Sequence, residues 1–61
     1  MGMFEEYPDI VGIEELMAML KIGKSLAYRL IHSGQIEARK VGRQYKIAKR
    51  KVIEYVLEGE R

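Results

Sequence analysis

The chain contains no cysteine and no tryptophan, and only one proline, one histidine and one phenylalanine. Without cysteine there can be neither a disulfide framework nor a thiolate metal site. The same lack suits a reducing cytoplasm, the compartment expected for it. One histidine and no carboxylate cluster on a basic face leave no metal-ligand set and no acid–base pair, so no catalytic residue and no cofactor are expected. Ser25 and His32 come nearest to a nucleophile and base, but along one helix they stand about 10 Å apart. No apolar run approaches the roughly 18 residues of a membrane span. The opening stretch MGMFEEYPDIVG is acidic where a secretory leader would be basic. Neither a membrane nor a small-molecule ligand is therefore expected as a partner.

What the chain does have is charge, unevenly placed. From Lys21 to Lys51 ten cations stand against Glu37 alone, while the flanks hold eight acids and Arg61. The net charge of +2 conceals this polarity. A field of that shape points to a polyanion. Sixty-one residues make a single domain, and at that size folding buries only about 60% of the unfolded surface. Its stability should be modest.

Residues 1–12 show no period and read as a lead-in, with Tyr7-Pro8-Asp9 as a turn or extended piece. Ile13, Leu16, Met17 and Leu20 then fall on one helical face, with Glu14 and Glu15 in the first turn, where the helix dipole favours them. Lys21-Ile22-Gly23 breaks the pattern. A second helix opens near Lys24, with Leu26, Ala27, Leu30 and Ile31 on one side and Lys24, Ser25, Tyr28, Arg29 and His32 on the other. Ser33-Gly34 ends it, Gly34 being suited to the left-handed position after a helix. Two short helices joined by a brief glycine-containing turn form the helix-turn-helix signature.

Gln35 to Ile47 reads as a hairpin around Gly42-Arg43. A two-residue turn would pair Val41 with Gln44, and a three-residue turn would pair Val41 with Tyr45. The second is favoured because it would gather Val41, Tyr45 and Ile47 on one face. A last helix spans Ala48 to Glu58, with Val52, Ile53, Val56 and Leu57 as its apolar side. Lys49, Arg50 and Lys51 in its first turn have the wrong sign for the helix dipole, and a nearby phosphate would offset that. The expectation is a mostly helical α+β domain over 13–58: a winged helix-turn-helix with a two-stranded hairpin wing and a C-terminal helix.

The order helix, turn, helix, hairpin, helix resembles the excisionase-type DNA-binding family, relatives of the MerR-like winged helices. The resemblance runs from Ile13 to Leu57. It rests on Glu15-Leu16 and Leu20, on Lys24-Ser25-Leu26-Ala27-Tyr28-Arg29-Leu30-Ile31 with Gly34 and Ile36, on Val41-Gly42-Arg43-Gln44-Tyr45-Lys46-Ile47, and on Val52 and Tyr55. Gly12 and Gly23 stand where many members carry a hydroxyl cap, and Glu37 and Ala48 where proline is common. Glycine caps a helix at small cost, so the fold should be unchanged.

The polar edge of the second helix would enter the major groove of double-stranded DNA. Arg29 is the best base reader, since its fork matches guanine O6 and N7. Lys24 and Ser25 at the helix N-terminus suit phosphate. Tyr28 either touches the sugar–phosphate chain or braces the wing, and His32 completes the stripe. On the wing, Arg43 at the tip with Lys40, Gln44 and Lys46 beside it would grip the neighbouring groove or its phosphates. The resemblance implies a role in DNA recombination at a mobile element, bending DNA beside an integrase and neighbouring copies of itself. After the winged helix this sequence shows neither the long dimerisation helix nor the effector domain of MerR-like regulators. Excisionase is therefore expected ahead of stand-alone transcription regulation, with a protein–protein adaptor as a third use of the same fold.

Overall fold

The computed structural model describes residues 2–59. Along the chain run β1 (Ile10–Val11), α1 (Ile13–Leu20), α2 (Lys24–His32), β2 (Arg39–Val41), β3 (Gln44–Ala48) and α3 (Lys49–Gly59). The mixed α+β class is as expected, and the element order is that of a winged helix-turn-helix.

Each boundary has a local cause. α1 starts at Gly12, whose N–H donates to Glu15 Oε1 at 2.8 Å. Glycine has no hydroxyl for the forward bond, so only the return half of a capping box forms. At the other end Lys21 takes the left-handed conformation (φ 56, ψ 49), its N–H bonding the Met17 carbonyl. This lysine reverses the chain between the two helices, at a cost of roughly 1 kcal/mol for a residue with a Cβ. Gly23 has a different task, capping α2 in an extended conformation with φ −82. α2 ends as the sequence suggests. Gly34 has φ 84, its N–H reaches the Ile31 carbonyl at 3.1 Å, and Gln35 N–H reaches that of Leu30 at 3.0 Å. This is a Schellman closure, and it turns the chain so that Ile36 enters the core.

The sheet is antiparallel, in the order β1-β3-β2. β1 is a strand beyond the expected hairpin, because two residues are too few to carry an alternation. It pairs Ile10 with Ala48 and Val11 with Ile47. The hairpin pairs Val41 with Gln44, Lys40 with Tyr45 and Arg39 with Lys46. Its turn therefore has two residues, and the favoured three-residue register is corrected. Gly42 has φ 63 and Arg43 has no positive φ, the pattern of a type II′ turn with glycine in its first central place. Turn chemistry sets this register, and apolar grouping does not. Val41 lies on the face opposite Tyr45 and Ile47 and is 54% exposed.

Val11, Leu16, Met19, Ala27, Leu30, Ile36, Ile47 and Val52 form one buried cluster. Ile13, Met17, Leu20 and Ile31 pack partly buried around it. Four residues expected on apolar faces stand outside the core: Leu26 and Leu57 are exposed, and Ile53 and Val56 are half-buried but not packed against the cluster. α2 docks through Ala27 and Leu30, which leaves Leu26 at the open edge of the helix wheel. α3 meets the core through Val52 and Tyr55, one turn apart, so Leu57 lies off that line. The lead-in is docked as well, with Phe4 and Tyr7 edge-on at 6.0 Å and packed on the core.

The cations at the start of α3 mostly have partners within the chain. Lys49 donates its backbone N–H to the Asp9 carbonyl (2.7 Å) and its Nζ to the Tyr7 carbonyl (3.0 Å). Lys51 Nζ lies 3.3 Å from Glu37 and 3.9 Å from Glu54. A phosphate is not needed to account for these two.

Three substitutions check these causes by thermal melting. Gly34→Ala should lower stability by about 1 kcal/mol, because alanine resists the left-handed conformation. Gly23→Ser should raise it by roughly 0.5–1 kcal/mol, through a side-chain cap and a less flexible unfolded chain. At this size 1 kcal/mol moves Tm by about 4–8 °C. Ala27→Leu should cost roughly 1–3 kcal/mol by overpacking the contact between α1 and α2. A parent-like melt for Ala27→Leu would mean that the two helices do not meet at that residue.

Candidate nucleic-acid interface

Docking α2 through Ala27 and Leu30 fixes which side faces out. Lys24, Ser25, Arg29 and His32 are all exposed, and Tyr28 is half-buried. Lys24 and Ser25 are the first two helical residues after the Gly23 cap, where backbone N–H groups have no intrahelical acceptors. Nine residues of helix rise about 13 Å, comparable to a major groove roughly 12 Å wide.

The hairpin is held against this helix by three rings. Tyr28 meets Tyr45 edge-on, with centroids 5.8 Å apart at 70°. His32 lies 6.1 Å from the Tyr45 ring and 5.9 Å from Tyr28. His32 Nε2 and the Tyr45 hydroxyl are hydrogen-bonded at 3.1 Å. An edge-on pair such as Tyr28 with Tyr45 contributes roughly 0.5–1.5 kcal/mol beyond its buried area. Tyr28 thus takes the bracing position of its two readings, with His32 beside it. Lys40 Nζ lies over the Tyr45 ring, 5.6 Å from its centroid and within cation–π range.

Tyr45 is the residue that sequence reasoning missed as part of the site. Its signal was only indirect, an aromatic residue on the face of a short strand shared with the buried Ile47. No period links it to Tyr28 or His32, because the contact is tertiary.

The register also divides the expected wing residues. Directly opposed residues share a face, and side chains alternate along a strand. Lys40 therefore lies with Tyr45 and Ile47, on the side of α2. Gln44 and Lys46 lie on the opposite face with Arg39, Val41 and Ala48, and Lys46 Nζ donates to Gln44 Oε1 at 3.3 Å. Arg43 occupies the turn itself and is exposed. The structure thus brings Lys24, Ser25, Tyr28, Arg29, His32 and Lys40 to one side with Arg43 at the tip, and sets Gln44 and Lys46 apart.

Among the described residues, no group of three or more His, Asp or Glu side chains is placed to hold a metal ion. Within the same residues, no helix is long and apolar enough to cross a membrane.

Comparison with known proteins fits this geometry. Over 38 residues, 62% of this chain, the sequence is 32% identical to two Mycobacterium tuberculosis proteins. They are "Putative DNA-binding protein MT0521" of strain CDC 1551 / Oshkosh and "Putative DNA-binding protein Rv0500A" of strain ATCC 25618 / H37Rv. The matched stretch spans 49% of each relative's length. No solved structure matches significantly. The profile of a family described as "Helix-turn-helix domain" matches residues 10–60, from β1 to beyond the end of α3, and the chain belongs to that family.

Proposed function

We propose that this chain binds double-stranded DNA, with α2 in the major groove and the wing tip on the adjacent backbone or minor groove. The observation that carries the proposal is the exposed stripe of α2, facing the same way as Lys40 and running on to Arg43. Arg29 reads a base, because its planar fork can bond guanine O6 and N7 together, a contact of roughly 1–3 kcal/mol of discrimination. Lys24 and the free N–H groups at the helix start take phosphate. Ser25 and His32 contribute shorter-range polar contacts. Gln44 and Lys46 reach DNA only where the duplex curves around the wing. The two mycobacterial relatives carry DNA-binding names, which supports the same reading.

On DNA the chain acts as an excisionase-type architectural factor, setting the path of the duplex for a recombinase. Support comes from the ring cluster. A wing braced by Tyr28, His32 and Tyr45 meets the duplex at a fixed angle to α2, so the DNA must conform to the protein, and such deformation costs of order 1–6 kcal/mol for bends of about 40–90°. The added backbone contacts compensate. One domain offers one half-site, so useful affinity requires adjacent copies or a partner protein on the same DNA.

Affinity for duplex DNA should fall steeply with salt, with a log–log slope of several units, about 0.9 for each phosphate neutralised. Arg29→Ala should flatten the preference among sequences, while Arg43→Ala weakens all sequences alike and lowers the slope by about one. Unchanged preference in Arg29→Ala would remove that residue from base reading. Affinity that ignores salt would reject the DNA interface as a whole.

The brace has its own test. Tyr45→Ala should lose the wing's share of the salt slope yet keep the sequence preference of α2, and Tyr45→Phe should stay close to the parent. Gel mobility of fragments with the site at the centre or the end measures bending. Specific binding without a bend would favour a transcriptional regulator over the architectural role.

A further inference from the structure

The outer face of the sheet carries a second basic surface, turned away from α2. Along it the register sets Val41 beside Gln44, Arg39 beside Lys46, and Ile10 beside Ala48. Arg50, in the first turn of α3, lines the same side. A groove of about 560 Å³ runs there, lined among others by Ile10, Ala38, Arg39, Lys46, Ala48 and Arg50. Its cations are exposed, and so are the two large apolar residues on this face: Ile10 is 53% and Val41 54% exposed. The DNA-binding reading uses none of Arg39, Arg50 and Ile10, and it uses Lys46 only where a duplex curves around the wing.

We infer that this outer sheet face is a docking site for an acidic, extended segment of a partner protein. Three features select that occupant. The groove is lined by four cations, Arg39, Lys46, Arg50 and Lys51, against one acid, Glu37, which lies 3.3 Å from Lys51, so the complement is anionic. Two apolar residues flank the cations, which a phosphate backbone would leave uncovered and apolar side chains would bury. The spacing fits an extended chain laid obliquely across the sheet. Val41 and Ile10 lie beside positions 44 and 48 of β3 but on the strands to either side of it, so they are offset by about 13 Å along β3 and about 10 Å across it, roughly 16 Å in all. An extended peptide on that diagonal, with apolar side chains at i and i+4 about 13 Å apart, reaches toward both from between them and sets residue i+2, on the same side, near the pairing of Arg39 with Lys46. The segment recognised is therefore apolar–x–acidic–x–apolar, with its carboxylate between Arg39 and Lys46 and a following acid near Arg50. Such a segment would join the DNA-bound domain to a protein while leaving α2 free, and its recognition does not require the DNA reading to hold.

The test is a titration of the isotope-labelled chain with a synthetic peptide containing Leu-Ser-Glu-Ser-Leu-Glu, followed by amide chemical shifts. Shifts should gather at Ile10, Ala38, Arg39, Lys46, Ala48 and Arg50 and spare α2. The double variant R39E/R50E should weaken the peptide at least about tenfold, as expected when complementary charges become like charges. On a duplex of one half-site, too short to curve onto this face, it should leave DNA affinity within about twofold at moderate salt, where exposed charges more than about 10 Å away are screened. If that variant fails to fold, R39Q/R50Q and a peptide with serine in place of both glutamates provide the same contrast. A peptide with serine for both leucines should also bind more weakly. Shifts confined to α2, or no shifts at all, would overturn the inference. So would a duplex DNA fragment that moves the outer-face amides when the peptide does not, since the face would then belong to nucleic acid. Failure of DNA binding alone would leave the peptide result standing.

Discussion

The alternation along β3 is the constraint on which the other elements depend. Ile47 has no exposed surface, pairs with Val11 across the sheet, and lies in the strand that α1 and α3 both pack against. With Ile47 fixed inward, Tyr45 must point to the same side, because side chains of a strand repeat every second residue. That side is where α2 presents Tyr28 and His32. Gln44, Lys46 and Ala48 must then face outward. A slip of one residue would exchange the two sets, exposing Ile47 and turning Lys46 into the core. Such a slip is prevented at both ends of the strand. Gly42 closes the hairpin with a positive φ, and the chain passes from Ala48 directly into α3, whose first N–H is held by the Asp9 carbonyl.

From this constraint comes the separation of the basic residues. The sequence shows ten cations in one stretch, which by itself describes a single basic face. Helix and strand periods sort them differently. In α2, residues three and four apart fall together, so Ser25, Arg29 and His32 form one stripe with Lys24 and Tyr28 at its edge. In the hairpin, neighbours fall apart, so Arg39 and Lys40 serve opposite faces. The chain is thus basic on two sides. One side is continuous with α2 and carries the ring cluster. The other is interleaved with exposed isoleucine and valine.

How much of this was legible depended on whether the cause was local. The helices α1 and α2, the break between them and the left-handed role of Gly34 all follow from spacing and from the chemistry of single residues, and the sequence displays both. The hairpin's existence was equally local, but its register was not read correctly. Val41 is apolar, and its spacing alone groups it with Tyr45 and Ile47, yet a three-residue strand at the sheet edge has no core above it to favour that grouping. The geometry of Gly42 decided the matter. β1 is not legible because two residues have no period, and their pairing partners stand 36 and 38 positions later. The aromatic cluster escaped for the same reason. Tyr28, His32 and Tyr45 are ordinary in their own segments and become a unit only when the fold brings them within about 6 Å. Leu26 and Leu57 show the converse, with the apolar spacing of a helix face and side chains that remain exposed.

The ring cluster lies outside the apolar core, and that placement separates folding from geometry. The buried residues are all hydrophobic, and no buried side-chain nitrogen or oxygen among those described is left without a partner. Stability therefore rests on eight apolar side chains and on backbone closures at the helix ends. Orientation of the wing rests on contacts made at the surface, where His32 is exposed and Tyr28 and Tyr45 are half-buried. A substitution in the core changes whether the domain folds. A substitution among the three rings acts mainly on the angle between two surfaces of a domain that is already folded. In a domain this small, with no disulfide to hold its parts, keeping those tasks on different residues sets the angle of the wing without drawing on the few kilocalories that keep the chain folded.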